Sequence, residues 1–112
     1  MAEVVRGEIW MFSFPKPDKK RPVLVLTRQD MIGRLETVTV VPITSTIRGV
    51  PSEVVLETET GLKRASAANL HHVATVPLAG LRAFVGSISA KSMGEVREAL
   101  LFSLGFGAPT VP

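Results

Sequence analysis

The chain contains no cysteine. Disulfide frameworks, thiolate metal sites and cysteine nucleophiles are thereby excluded. No run of about 18 apolar residues occurs, so nothing reads as a membrane-spanning helix. The opening decapeptide, MAEVVRGEIW, carries acids at Glu3 and Glu8 and no long apolar stretch, and does not read as a signal peptide. These absences suit a cytoplasmic protein. No Gly-rich phosphate loop is present: GLKRAS has one glycine and lacks the P-loop pattern. No nucleophile motif supports a Ser-His-Asp triad, and no carboxylate pair has a spacing that suggests acid–base work. No metal motif is found. His71 and His72 are adjacent, and on a strand they would point to opposite faces, which disfavours a shared ion. No metal and no cofactor are expected.

What the chain does contain is one ordinary domain's worth of apolar sequence. Its 112 residues are 46% hydrophobic and 21% charged, enough to bury a core and unlike a disordered segment. A single domain over residues 1–106 is expected, with GAPTVP at 107–112 as a disordered tail. GEIWMFSF (7–14) reads as a strand buried on both sides. PKPDKKRP, with three prolines in eight residues, reads as a loop. VLVLT (23–27) and TVTVVPITS (37–45) read as strands, with Pro42 pointing to an edge position or a bulge. EVVLE (53–57) alternates and reads as a fourth strand. LKRASAANLHHV (62–73) is read as a strand, although its alanines also suit a helix, and LRAFVGSIS (81–89) as the last strand. Only the C-terminal segment is strongly helical: Ser89 is a candidate N-cap, and Met93, Val96, Leu100 and Leu104 form an apolar stripe. Gly105 would close that helix, with Phe106 folding back onto the stripe. Five to seven short strands and a closing helix imply a small, strongly bent antiparallel sheet or a partly open barrel.

The formal net charge is +3, and its distribution matters more than its size. Lys16, Lys19, Lys20 and Arg21 fall within six residues, opposed only by Asp18. Such a cluster is either a solvated loop or an electrostatic site for phosphate. Arg21 stands where the loop meets the strand, so Pro22 and the buried run behind it fix its base. A fixed guanidinium offers a preorganised fork to phosphate oxygens. Thr44 and Ser45 stand where a neighbouring strand would end and supply hydroxyl donors. The plainer alternative is that Arg21 covers the strand end and Thr44 satisfies loop backbone. Trp10, in the first strand, reads as a core residue rather than a base-stacking one.

Four segments in order resemble the MazF/PemK family of toxin endoribonucleases: RGEIW at the first strand, RPVLVLT at the second, VVPITS at the third, and ISAKSMGEVREALLFSLGF as the terminal helix. The resemblance spans roughly residues 6–106 and implies a mainly β fold, an SH3-like barrel with a C-terminal helix. It also implies a homodimer, metal-independent cleavage of single-stranded RNA at a short sequence, and silencing by a cognate antitoxin that occupies the RNA groove. The cleavage expected of the family proceeds by attack of the RNA 2′-OH and leaves 2′,3′-cyclic phosphate and 5′-OH ends. Arg21 and Thr44 align with the motif residues that contact the scissile phosphate. Some members also carry an acid–base Arg and Asp two residues apart in the fifth strand; here Ser66 and Ala68 stand at those places. Lys16, Lys19 and Lys20 would then draw in the RNA backbone. Ser45 would complete the clamp, and Asn69 and the 45–52 loop would contribute to base choice. His71 is a candidate base or RNA-contacting residue. Two other readings compete. One is a catalytically inactive module that binds RNA or antitoxin. The other is a gyrase poison like CcdB, whose Trp-Gly-Ile terminus is absent from LGFGAPTVP.

Overall fold

The structure is a computed structural model and describes residues 3–15 and 19–106. Lys16, expected to contact the RNA backbone, and the 107–112 tail, expected to be disordered, lie outside these described residues. Seven strands run β1 (Glu8–Ser13), β2 (Lys20–Val25), β3 (Thr37–Thr44), β4 (Glu53–Leu56), β5 (Ser66–Asn69), β6 (Ala74–Pro77) and β7 (Phe84–Ser87). A single helix, α1 (Ala90–Leu104), closes the chain. All pairings are antiparallel, in the order β4-β5-β3-β2-β1-β7, with β6 branching from β3.

The first strand starts on a small clamp built by RGEIW. Gly7, at φ +90°, donates its N–H to the Val25 carbonyl at 2.9 Å, and Arg6 Nε donates to the Leu26 carbonyl at 2.9 Å. A side chain at Gly7 would strain that left-handed turn. Glu8 Oε1 accepts from the Val5 N–H at 2.8 Å and from Trp10 Nε1 at 3.0 Å. Trp10 is 6% exposed and lies in the core, as the sequence suggested. Arg6 and Gly7 of this motif thus fasten the start of β1 to the end of β2, while Glu8 ties together Val5 and Trp10 of its own segment.

Two apolar clusters flank the sheet. One joins Ile9, Leu24, Val41, Ile43, Val54, Leu56, Ala68 and Leu70 to Val96 and Ala99 of α1. The other gathers Trp10, Val23, Val25, Val38, Val40, Val76 and Leu81 on the opposite face. Alternate residues of a strand point to opposite faces, so a strand buried on both sides must be apolar throughout, as VLV and VVPI are.

Several boundaries differ from expectation. The second strand begins at Lys20, three residues before Val23, because Arg21 and Pro22 pair with Phe12 and Met11. Pro42 lies in a central strand, not at an edge. The peptide groups of Thr39 face β2: its carbonyl accepts from Leu26 N–H, and its N–H goes to Thr27 Oγ1. Along an antiparallel strand these groups alternate in direction, so the Pro42 nitrogen faces away from β2. On that side β3 pairs with β6 through Val40 and with β5 from Ile43 onward, and Pro42 falls in the gap between them.

The 62–73 stretch is not one strand. β5 holds four residues, and a 3-10 turn at Leu70–His72 leads into β6, which sequence patterning had missed. The last strand is trimmed to Phe84–Ser87. Ser89 caps α1 by accepting from Ser92 N–H at 3.1 Å, and Gly105, at φ +78°, ends it. The buried stripe of α1 is Val96 and Ala99, flanked by Met93 and Leu100. Leu104 is 57% exposed and Phe106 77%, so neither packs as expected.

The segment after β4 is held by two close backbone approaches. Gly61, at φ +104°, lies under the Val85 carbonyl, and a Cβ on Gly86 would overlap the Thr60 carbonyl oxygen. Gly86→Ala is expected to destabilise the protein by roughly 1–3 kcal/mol, as overpacking does. Urea unfolding of the two proteins side by side measures it.

Candidate functional site

The register of β2 and β3 brings the two candidate residues together. Val23 faces Pro42 and Leu24 faces Val41. Continuing that register by two residues sets Arg21 opposite Thr44, just past the last ladder pair. On its other side Arg21 faces Phe12 of β1. Phe12, Arg21 and Thr44 thus form a row across three strands, and strand alternation puts Arg21 on the same face as Val23 and Val25. Arg21 is half-buried, so its stem is packed by the sheet while the strand mouth stays open. It is also engaged by at least one further contact.

Two cavities meet at Arg21. The larger, about 670 Å³, is a groove lined by Lys20, Arg21, Thr44, Ser45, Lys63 and Arg64. Its remaining walls include Met11, Pro22, Ile43, Leu62, Ser66 and Val85, and among the described residues no carboxylate lines it. Four cations around one opening, with no acid among the described lining residues, make a field that favours a polyanion. The smaller cavity, about 370 Å³, is lined by Phe14, Arg21, Pro42, His72 and Ala74.

Each hydroxyl in the groove has a definite local role. Thr44 Oγ1 accepts the Thr46 N–H at 3.2 Å, which tightens the exit from β3. A hydroxyl that accepts one bond can still donate its own proton, so Thr44 remains a donor toward the opening. Ser66 is buried and its Oγ donates to the Arg64 carbonyl at 3.0 Å. The first of the two positions at which the resemblance would place an acid–base pair is a serine bonded to the backbone. Ala68, two residues on, is fully buried.

The remaining candidates disperse. Lys19 is exposed just before β2 and lines neither cavity. Asn69, 9% exposed at the end of β5, pairs in register with Glu53 and lines neither cavity. His71 also lines neither: its Nδ1 shares a 2.7 Å hydrogen bond with Ser52 Oγ. The expectation that His71 and His72 point to opposite faces fails, because both sit in the 3-10 turn. Their rings meet edge to face with centroids 4.4 Å apart. His72, not His71, is the imidazole beside Arg21. The 45–52 loop is closed by Glu53, whose carboxylate accepts from the N–H groups of Arg48 and Gly49.

Sequence reading missed Lys63 and Arg64. Adjacent cations in GLKRAS were visible, but only the fold of the chain around Gly61 brings them beside Lys20 and Arg21. Among the described residues no group of three or more His, Asp or Glu is gathered as a metal site would require. No helix among them is long and apolar enough to cross a membrane.

Comparison with known proteins gives a consistent picture. A family model described as "PemK-like, MazF-like toxin of type II toxin-antitoxin system" matches residues 5–104. Endoribonuclease MazF3 of Mycobacterium tuberculosis is 37% identical over 83 residues, covering 74% of this chain and 81% of the relative. Among solved structures, the Mycobacterium tuberculosis toxin MazF-mt6 superposes with a TM-score of 0.83 at 32% identity, over 90% of this chain and 99% of that one. A MazE-MazF crystal structure from Deinococcus radiodurans gives 0.78 at 25% identity, over 96% of this chain and all of the other.

The local geometry of Thr44 is open to direct test. Thr44→Val removes the acceptor for Thr46 N–H, and Thr44→Ser keeps it. Hydrogen exchange at the Thr46 amide should speed up in the first variant and match the wild type in the second.

Proposed function

The chain belongs to the PemK-like, MazF-like toxins of type II toxin–antitoxin systems and is an endoribonuclease of that family, and on that premise we propose that it cuts single-stranded RNA in a sequence-specific manner at a phosphate held between Arg21 and Thr44. The observation that carries this reading is that Arg21 and Thr44, just beyond the β2–β3 ladder, line one groove together with Lys20, Lys63 and Arg64.

The chemistry follows from what such a site can supply. The RNA 2′-OH loses its proton and attacks the adjacent phosphorus, the P–O5′ bond breaks, and the leaving 5′-oxygen takes up a proton, so the products are a 2′,3′-cyclic phosphate and a 5′-OH end. Negative charge grows on the phosphoryl oxygens as the 2′-oxygen attacks. A guanidinium fixed by a strand, with a hydroxyl donor facing it, meets that charge without having to reorganise. Neither residue acts as a base, since arginine keeps its proton and the threonine hydroxyl is a donor here. The reaction proceeds without a metal ion, its charge being held by Arg21. Lys20, Lys63 and Arg64 position the RNA backbone, a task that needs charge rather than base recognition. Single strands suit such a groove because their base edges are open.

The same reading extends to partners and place. A cognate antitoxin neutralises the enzyme by covering the cationic groove. The active form is a homodimer, supported by apolar side chains left exposed at Val55, Phe102 and Leu104. Its RNA substrate puts it in the cytoplasm.

Cleavage of a long unstructured RNA in EDTA, with cut ends mapped, tests the central claim. The wild type should give discrete cuts ending in cyclic phosphate, and Arg21→Ala should slow them by roughly 10²–10³. An Arg21→Ala variant as fast as wild type would place the chemistry elsewhere. Binding without any cleavage would instead favour an inactive binding module. Removing Lys63 and Arg64 together should weaken RNA binding across all sequences. Each lost phosphate contact should flatten the plot of log affinity against log salt by about 0.7. Light scattering at micromolar concentration should give twice the 12.0 kDa chain mass, and a monomer mass would count against the dimer.

A further inference from the structure

We propose that the smaller cavity beside Arg21, walled by Phe14, Pro42, His72 and Ala74, is a nucleobase subsite that receives the base next to the phosphate held at Arg21. The proposal deepens the ribonuclease reading and rests on it.

The two cavities that share Arg21 differ in chemistry. The groove of about 670 Å³ carries four cations and three hydroxyl residues, and suits a sugar–phosphate backbone. Among the described residues, the cavity of about 370 Å³ has three apolar walls, Phe14, Pro42 and Ala74, and two polar lining residues, Arg21 and His72. A phosphate would lose its hydration there against Phe14, Pro42 and Ala74. A flat heteroaromatic ring would bury its faces on those walls and offer its polar edge to the imidazole and guanidinium. The volume lies at the small end of ligand clefts, about 300–1,000 Å³. Since Arg21 borders both spaces, a nucleotide with its phosphate in the groove has its base within reach of the smaller cavity.

The walls are also held in advance of any ligand. The Phe14 ring is braced edge to face by Phe12, with centroids 4.9 Å apart at 72°. His72 is exposed, yet its ring is braced by His71 at 4.4 Å and 68°, and His71 is itself tied to Ser52 by the 2.7 Å hydrogen bond. This chain gives His71 a purpose away from the phosphate: it is a positioning residue for His72. Ala74 pairs with Val40 on the sheet, and its short side chain leaves the floor of the cavity open. Unstacked bases of single-stranded RNA are commonly received by aromatic side chains and read along their edges.

A random-sequence RNA pool, cut by wild type, His72→Ala and Phe14→Ala and sequenced at the new ends, tests this. The wild type should prefer one base at one position adjoining the cut. Both variants should weaken that preference by roughly tenfold while leaving preferences at other positions in place. His71→Ala or Ser52→Ala should produce a smaller change at the same position. The proposal is overturned if the wild type shows no preference beside the cut, or if the variants keep its full profile or lose every position equally. A second measurement does not require cleavage. The ring protons of His72 are followed by NMR as a 2′-O-methyl trinucleotide or its abasic counterpart is added. A shift with the first and not the second supports the subsite. Equal responses, or none, refute it, even if the protein proves not to cut RNA.

Discussion

A missing hydrogen-bond donor organises this molecule. Pro42 lies in the most heavily paired strand of the sheet, where a proline would ordinarily remove a ladder bond. Here its nitrogen falls where β3 leaves β6 and joins β5. The far side of β3 is thereby divided into two ladders, and the sheet carries apolar clusters on both faces. On the β2 side the ladder ends at Val23 and Pro42: the next bonded pair would be Pro22 with Ile43, and Pro22 has no N–H to give, so pairing stops short of Arg21 and Thr44. Had the ladder continued, the two side chains would lie over a closed sheet. Because it stops, they stand at an opening and remain anchored by the paired residues behind them.

The contrast between the two cavities follows from this opening. One side collects charge: Lys20 from the start of β2, and Lys63 and Arg64 from the segment that Gly61 and Gly86 press against β7. The other side collects apolar walls from Phe14 just past β1, Pro42 of β3 and Ala74 of β6, with His72 from the turn before β6. Arg21 divides them. A nucleotide has the same division within itself, an anionic backbone and a planar base, so a single residue at the boundary can register both.

Much of this was legible before folding was considered. The strand cores follow from runs of Val, Ile and Leu, and the helix from its stripe, its serine cap and its terminal glycine. Arg21 and Thr44 were legible because Arg-Pro before an apolar run and Thr-Ser after one mark strand ends. Less legible was the stretch from Leu62 to Val73, where short alanine-rich sequence fits strand or helix equally on local preference. Tertiary contacts decided it: β5 is wedged between β3 and β4, and small side chains are what fit there. The histidines were misjudged for the same reason. Adjacent residues diverge on a strand but not in a 3-10 turn, and nothing local in HHV distinguishes the two.

By itself, then, the sequence determined the chemistry available: no thiol, a cluster of cations at a strand mouth, hydroxyls at another, and apolar runs sufficient for a two-faced sheet. These depend on residue type and on near neighbours along the chain. The tertiary structure alone decided which of those groups share a space. Lys63 and Arg64 lie more than forty residues from Arg21 along the chain, and only the cross-strand register and the Gly61–Gly86 approach bring them to one groove. His72 replaced His71 beside Arg21 through one turn's geometry. Residue identity sets what a group can do, while long-range pairing, which no local pattern encodes, sets what it can do it to.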